Sequence, residues 1–365
     1  MQVFSLRELE LEAQRRLEPA VYDYFAGGAD DEITVRSNQT AFAHIGLLPR
    51  VLCGAGPATL ETTILGCHLS MPVLIGPTAF HRLADPEGER ATARAAAAAG
   101  TIMMVSMAST VAIEEVAAAA RNGEDGERLW FQIYLQPDRG FTESIIRRAE
   151  AAGCSAIVVT VDSPAFGRRE RDLRNGFNDL PPGMCCENLR EPMSGESRGP
   201  VRKIVFSTEF SWKHIEWLRQ VTELKIVLKG IVHPEDAKLA VRHGVDAVLV
   251  SNHGGRQLDT VPATIDLLPA IVDGVDGRIP LLLDGGIRRG TDALKALALG
   301  ANAVAIGRPV LWGLALAGEA GVAQVLDILR SELERAVTLC GCSSVHELTP
   351  GLLQFLPVGE PCTRG

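Results

Sequence analysis

The stretch Ala247-Val248-Leu249-Val250-Ser251-Asn252-His253-Gly254-Gly255-Arg256-Gln257-Leu258-Asp259 decides how this chain reads. Its four apolar residues predict a short strand buried on both faces. A titratable imidazole and a permanent cation follow at once. Two glycines separate them and let another backbone or a ligand come close. In an α/β barrel, side chains just past the C-terminal end of a strand are the ones that carry chemistry.

Working outward, the same alternation of short apolar run and longer amphipathic run begins at residue 72. Strands are predicted at 72–77, 101–106, 130–135, 155–161, 225–229, 245–250, 280–284 and 302–306. Helices are predicted at 87–99, 110–121, 140–152, 213–221, 234–243, 263–273, 290–299 and 308–340. Eight such units point to an α/β fold, a (β/α)8 TIM barrel. A doubly wound open sheet is the alternative, but Gly76-Pro77-Thr78-Ala79-Phe80 lacks the Gly-rich turn expected after its first strand. Before the barrel, a helical extension is expected over 1–70. Ser5 caps Leu6–Leu17, Pro19 opens a second helix that Gly27-Gly28 ends, Asp30 caps a third, and 42–70 is irregular with short strands. One domain then spans 1–365, divided into extension, barrel (71–340) and tail (341–365). Residues 163–211 separate the fourth strand from its helix and include Pro181-Pro182-Gly183, Cys185-Cys186 and Ser194-Gly195-Glu196-Ser197. A loop that long reads as a mobile lid over the barrel mouth.

Bulk properties narrow the function. The 365 residues are 46% hydrophobic, enough for a large core, and the formal charge of −9 disfavours a nucleic-acid partner. An acidic chain that binds an anion must cluster its cations, and Arg168-Arg169, Arg288-Arg289, Arg256 and Arg308 are the candidates. The eight cysteines show no paired zinc spacing, so no metal site is expected and free thiols are. No signal segment and no apolar run near membrane-spanning length is read. The end Cys362-Thr363-Arg364-Gly365 is not a peroxisomal address, so a soluble cytoplasmic protein with no membrane partner is expected.

Asp284-Gly285-Gly286-Ile287-Arg288-Arg289-Gly290 follows the seventh strand and Gly307-Arg308-Pro309 the eighth. Barrels often bind a phosphate at these two loops, through backbone N–H groups, a helix N-terminus and arginines. Spacing does not say whether the phosphate belongs to a substrate or a cofactor. Lys229 ends the fifth strand, where it could form a Schiff base or hold negative charge on a ligand.

The segments Pro77-Thr78-Ala79, Phe131-Gln132-Ile133-Tyr134, Thr160-Val161-Asp162, Gly167-Arg168-Arg169-Glu170, Leu228-Lys229-Gly230, Ser251–Asp259, Asp284–Gly290 and Gly307-Arg308-Pro309, in this order, resemble the FMN-dependent L-2-hydroxy acid oxidases and dehydrogenases. The resemblance runs from Val21-Tyr22-Asp23-Tyr24 to about Gly341. It implies FMN held by Pro77, Thr78, Ala79, Ser106, Gln132, Thr160, Lys229, Ser251, Asp284, Gly285, Gly286, Ile287, Arg288, Gly307 and Arg308. It implies a substrate face of Tyr24, Tyr134, Arg169, His253 and Arg256. Arg169 and Arg256 clamp a carboxylate, Tyr24 donates to it, and Tyr134 bonds the reacting oxygen. His253 acts as general base with Asp162 behind it. The activity implied is oxidation of a 2-hydroxy acid to a 2-oxo acid, with O2 as acceptor and H2O2 as product. A homo-oligomer, a tetramer by analogy, is implied as well.

Ala108 stands where short-chain glycolate oxidases carry an indole, and Phe80 and His81 could line the same pocket. A substrate larger than glycolate is therefore expected. Two other readings stay open: a soluble dehydrogenase that uses a quinone or cytochrome, and a flavin-free phosphate-binding barrel such as an aldolase using Lys229.

Overall fold

A computed structural model describes residues 3–120, 128–191 and 199–356. Ser194–Ser197 of the long loop and the terminal Cys362–Gly365 lie outside the described residues. The chain opens with helices α1 (Leu6–Arg16), α2 (Pro19–Ala26) and α3 (Ile33–Thr40), then strand β1 (Ile45–Leu47) and the hairpin β2 (Thr62–Ile64) and β3 (Cys67–Leu69). The barrel follows as β4 (Val73–Ile75), α4 (Glu89–Ala98), β5 (Met103–Ser106), α5 (Ile113–Ala120), β6 (Leu129–Ile133), α6 (Arg139–Ala152) and β7 (Ala156–Thr160). After the long loop, which holds the short helix α7 (Glu170–Arg174), come α8 (Trp212–Val221), β8 (Lys225–Ile231), α9 (Pro234–Arg242) and β9 (Ala247–Val250). The chain ends with α10 (Thr264–Val275), β10 (Leu281–Asp284), α11 (Gly290–Ala298), β11 (Ala303–Ile306), α12 (Arg308–Leu339) and β12 (Leu353–Phe355).

Strands β4 to β11 close into a parallel barrel in chain order, with β11 pairing β4 through Val304↔Val73. The eight expected strands are all present. Their residues alternate between two cores. One face packs outward on the helices. The other fills the barrel with Leu74, Met104, Trp130, Val158, Val227, Leu249 and Leu282, and small residues such as Ala247, Ala303 and Ala305 make room for the indole of Trp130. Ile64, Cys67 and Leu69 of the hairpin join this interior cluster and close the end away from the long loop. β1 pairs antiparallel with β12, so the extension and the C-terminal segment share one small sheet.

Local expectations held at α1, where Ser5 accepts from Glu8 N, and at α2, where Pro19 is the first residue. Asp30 does not cap α3. The residue before α3 is Glu32, in a left-handed conformation, and the cap is supplied from far away: Asp259 accepts from Ile33 N at 3.1 Å and Thr34 N at 2.8 Å. Contrary to the expectation that no apolar run approaches spanning length, α12 contains one. More than half of that run is buried inside the structure, and the helix breaks at Ala317 and Gly318. It is a core helix that packs on α1 and α4.

Candidate active site

The C-terminal ends of the barrel strands open into a cavity of about 660 Å³. Its floor is a belt of polar side chains at successive strand ends. Ser106 Oγ donates to Gln132 Oε1 at 3.1 Å, and Gln132 Nε2 donates to Thr160 Oγ1 at 3.0 Å. Thr160 pairs in register with Lys229. Lys229 Nζ donates to Ser251 Oγ at 3.0 Å and lies 3.7 Å from Asp284 Oδ2. Lys229 is thus tied into the belt at the cavity floor.

His253 stands over this belt. Its Nδ1 is 2.8 Å from Asp162 Oδ1, which also accepts from Ser163 Oγ at 2.9 Å. Burial alone would raise the Asp162 carboxyl, but His253 and Lys229 facing it hold it down at about 2. Burial lowers the His253 imidazole below its ordinary value. Asp162 opposes that shift and Lys229 adds to it. The resting pair is therefore a carboxylate and a neutral imidazole, with the proton on Nδ1 and the lone pair on Nε2. The Tyr134 ring stacks on His253 with centroids 6.5 Å apart, and burial, then Asp162, pushes its phenol well above the ordinary range.

Arg169 and Arg256 both face the cavity, with their guanidiniums 5.4 and 5.0 Å from the Tyr24 ring centre. Arg256 Nη1 donates to Tyr24 O at 2.6 Å and Gly27 O at 3.1 Å, at the C-terminal end of α2. Arg308 Nε donates to Phe25 O at 3.0 Å and Ala26 O at 3.1 Å, and its Nη2 to Gly27 O at 2.8 Å. Two half-buried arginines thus cap one helix end, where the backbone carries partial negative charge. Burial, then Arg169, lowers Arg256 to about 10. Burial, then Arg256 and Arg288, lowers Arg308 to about 9. A cation cluster held in this way is stabilised by an anion.

The expected phosphate end lines the same cavity. The Nε of Arg288 is buried without a hydrogen-bond partner, and its Nη1 donates to Ile287 O at 3.0 Å. Asp284 Oδ1 is likewise buried without a partner. Gly286 has φ +89, and a Cβ there would lie 1.8 Å from Asn38 O, so no other residue fits this turn. Orphaned buried donor and acceptor, cation cluster and polar belt together suit a ligand with a phosphate, hydroxyls and a planar polar ring. That is the donor and acceptor set of FMN.

The cavity gathers Tyr24, Tyr134, Arg169, Arg256, His253 and Ala108 with Pro77, Thr78, Ala79, Ser106, Gln132, Thr160, Lys229, Asp284, Gly285, Gly286, Ile287, Arg288, Gly307 and Arg308. Two expectations are corrected. Ser251 is fully buried and does not line the cavity. It accepts from Lys229 Nζ and His253 N and so supports both from behind. His81 is 1% exposed and also lies outside the cavity lining, because its ring points into α4, toward Thr92. The close approach at Gly254 and Gly255 is real, but it is made by the protein. A Cβ at Gly254 would lie 2.8 Å from Arg308 Nη1, and one at Gly255 2.7 Å from Val35 N.

The described part of the long loop covers the mouth and contributes what sequence reading missed: Asp172, Phe177, Ile204 and Phe206. Phe177 packs on Tyr24 at 4.8 Å, and Phe206 stands edge-on to Tyr134 at 5.4 Å. Gln257 ties the loop's root, since Gly167 N donates to Gln257 Oε1 at 3.0 Å and Gln257 Nε2 donates to Ala165 O at 3.0 Å. Gln257 lies inside the opening stretch and could have been singled out there. Leu258 is exposed, and nothing in the structure explains it.

Comparison with known proteins agrees with this geometry. The chain is 46% identical over 354 residues to a glycolate oxidase of Oryza sativa subsp. indica, covering 95% of each. It is 44% identical over 352 residues to a 2-hydroxyacid oxidase of Dictyostelium discoideum, covering 96% of this chain and 89% of that one. A crystal structure of a mandelate oxidase with benzoyl-formic acid superposes with a TM-score of 0.86 at 42% identity, covering 97% of this chain and 98% of that one. The profile of FMN-dependent dehydrogenases matches residues 13–355, and the chain belongs to that family.

Proposed function

We propose that the protein oxidises an L-2-hydroxy acid to the 2-oxo acid with FMN, using O2 and releasing H2O2. One observation carries the reading: His253, held by Asp162 at 2.8 Å, lines one cavity with the guanidiniums of Arg169 and Arg256, and that cavity continues to Arg288 and Arg308. FMN, when bound, supplies the two-electron acceptor. Ser106, Gln132, Thr160 and Lys229 hold its ring system, and Arg288 with the Gly286 and Gly307 turns holds its phosphate. Arg169 and Arg256 bind the substrate carboxylate at two points, and Tyr24 donates to it. Tyr134 stays a phenol and bonds the reacting oxygen. His253 Nε2 takes the proton the substrate loses. Asp162, accepting from Nδ1–H, stabilises the resulting imidazolium.

The purified protein should be yellow, should bleach anaerobically when an L-2-hydroxy acid is added, and should give peroxide on re-aeration. A colourless protein that takes up no FMN overturns the reading. Bleaching without peroxide moves the acceptor away from O2.

The same reading extends to substrate size. Ala108 leaves room at the wall, and Phe80, Phe177, Ile204 and Phe206 line the cavity with apolar surface. The likeness to a mandelate oxidase solved with benzoyl-formic acid supports an aryl side chain over hydrogen. Among glycolate, lactate, 2-hydroxyoctanoate and mandelate, glycolate should show the lowest kcat/KM. Ala108→Trp should cost the larger acids about 100-fold while sparing glycolate. Glycolate as best wild-type substrate would refute the size assignment.

A further inference from the structure

His81 is the most buried histidine among the described residues, and the mechanism above does not use it. Its Nε2 lies 2.7 Å from Thr78 Oγ1 and its Nδ1 2.9 Å from Thr92 Oγ1 on α4. Its backbone N–H donates to Glu89 Oε1 at 3.1 Å. Glu89, fully buried at the start of α4, also accepts from Thr110 N at 2.9 Å and Thr110 Oγ1 at 2.7 Å. Thr110 Oγ1 in turn accepts from Arg82 N at 3.2 Å. Of these hydroxyls, Thr78 alone lines the cavity.

This network sits under a strained turn. Phe80 has φ +66, a conformation that costs a bulky residue energy, and its ring stacks on Tyr24 at 5.3 Å. Such strain persists where the surroundings over-determine it, and the anchored His81 is the next residue in the chain. Burial lowers the imidazole below its ordinary value, so the ring is neutral. A neutral ring has one N–H and one lone pair. Held between two hydroxyls, it donates to one and accepts from the other, so the direction of the Thr78 hydroxyl is tied through the ring to that of Thr92.

We propose that His81 is a positioning residue that fixes the Thr78 hydroxyl against the bound flavin. This rests on the reading that the cavity holds FMN. The test measures the FMN dissociation constant by equilibrium dialysis of the holoenzyme, together with the positions of its visible absorption bands. His81→Leu, which removes both ring hydrogen bonds, should weaken FMN about tenfold and shift the bands, as should Thr78→Val, which removes the one between His81 and Thr78. The double variant should lose no more than Thr78→Val alone, because His81 acts through that hydroxyl. His81→Gln, whose amide can both donate and accept, should restore most of the affinity. Thr92→Val, away from the cavity, should lose affinity in the same direction and serves where the Leu variant fails to fold. Unchanged affinity and bands in folded His81→Leu or in Thr92→Val would overturn the proposal, as would additive losses in the double variant. A wild-type protein that binds no FMN brings down the functional reading first, and this inference with it.

Discussion

His253→Gln is expected to keep the yellow colour and to lose anaerobic bleaching by about 10³- to 10⁴-fold. The imidazole contributes nothing to the polar belt beneath it, so FMN retention should be untouched. A glutamine amide has no lone pair on nitrogen that can take the proton at the position of Nε2. His253 has φ +56, so a residue tolerant of left-handed backbone is the second variant: His253→Asn should fold as well and bleach as slowly. The wild-type pH profile follows from the same geometry. His253 must be unprotonated to act, and burial holds its pKa below the ordinary 6.5. In the free enzyme kcat/KM should therefore be flat through neutral pH and fall only below 6.5, with protonation of the base. A half-fall at or above pH 7 in wild type, or a His253→Gln variant that still bleaches quickly, would remove His253 from the base role.

How far this could be read from the chain depended on distance along it. The eight barrel strands were legible because runs such as Ala247–Val250 and the three leucines 281–283 are apolar on both faces and bounded by turn residues, a local signal. The cap of α3 was not. Asp30 sits where a cap should be, yet Asp259 supplies it from 226 positions away. The reciprocal amide pair of Asn38 and Asn252, at 2.9 and 2.8 Å, is equally remote. It pins α3 to the residue before His253. No pattern of period two or 3.6 encodes such contacts.

The site divided the same way. Chemistry-bearing residues at strand ends could be placed at the barrel mouth, but not assigned a depth. Ser251 and His81 do not line the cavity, although Lys229, His253 and Thr78, which they touch, do. The side that each faces is set by packing against Lys229 and α4. Phe177 and Phe206 lie in a loop without period, so nothing local marked them as the wall of a pocket.

The two arginines that share the proposed carboxylate differ in what else they hold, and this predicts different losses. Arg169 Nε lies 3.4 Å from Asp172 Oδ2, and its guanidinium stacks 4.1 Å from the Phe166 ring centre. It caps no helix. Arg256 has a second task, because its Nη1 holds Tyr24 O and Gly27 O at the end of α2 beside Arg308. A lysine offers one compact charge and cannot serve the helix end and the substrate together. Arg256→Lys should raise KM for the 2-hydroxy acid by about 100- to 1,000-fold, the order expected for breaking a buried charge-assisted pair. It should also cost about 1–2 kcal/mol of stability, roughly 2–4 °C per kcal/mol in Tm. Arg169→Lys should raise KM similarly but leave Tm within about 1 °C of wild type. If both variants melt alike, the arginine cap on α2 carries no measurable energy. If Arg256→Lys alone melts early while its KM stays normal, Arg256 is a structural residue and Arg169 binds the carboxylate without it.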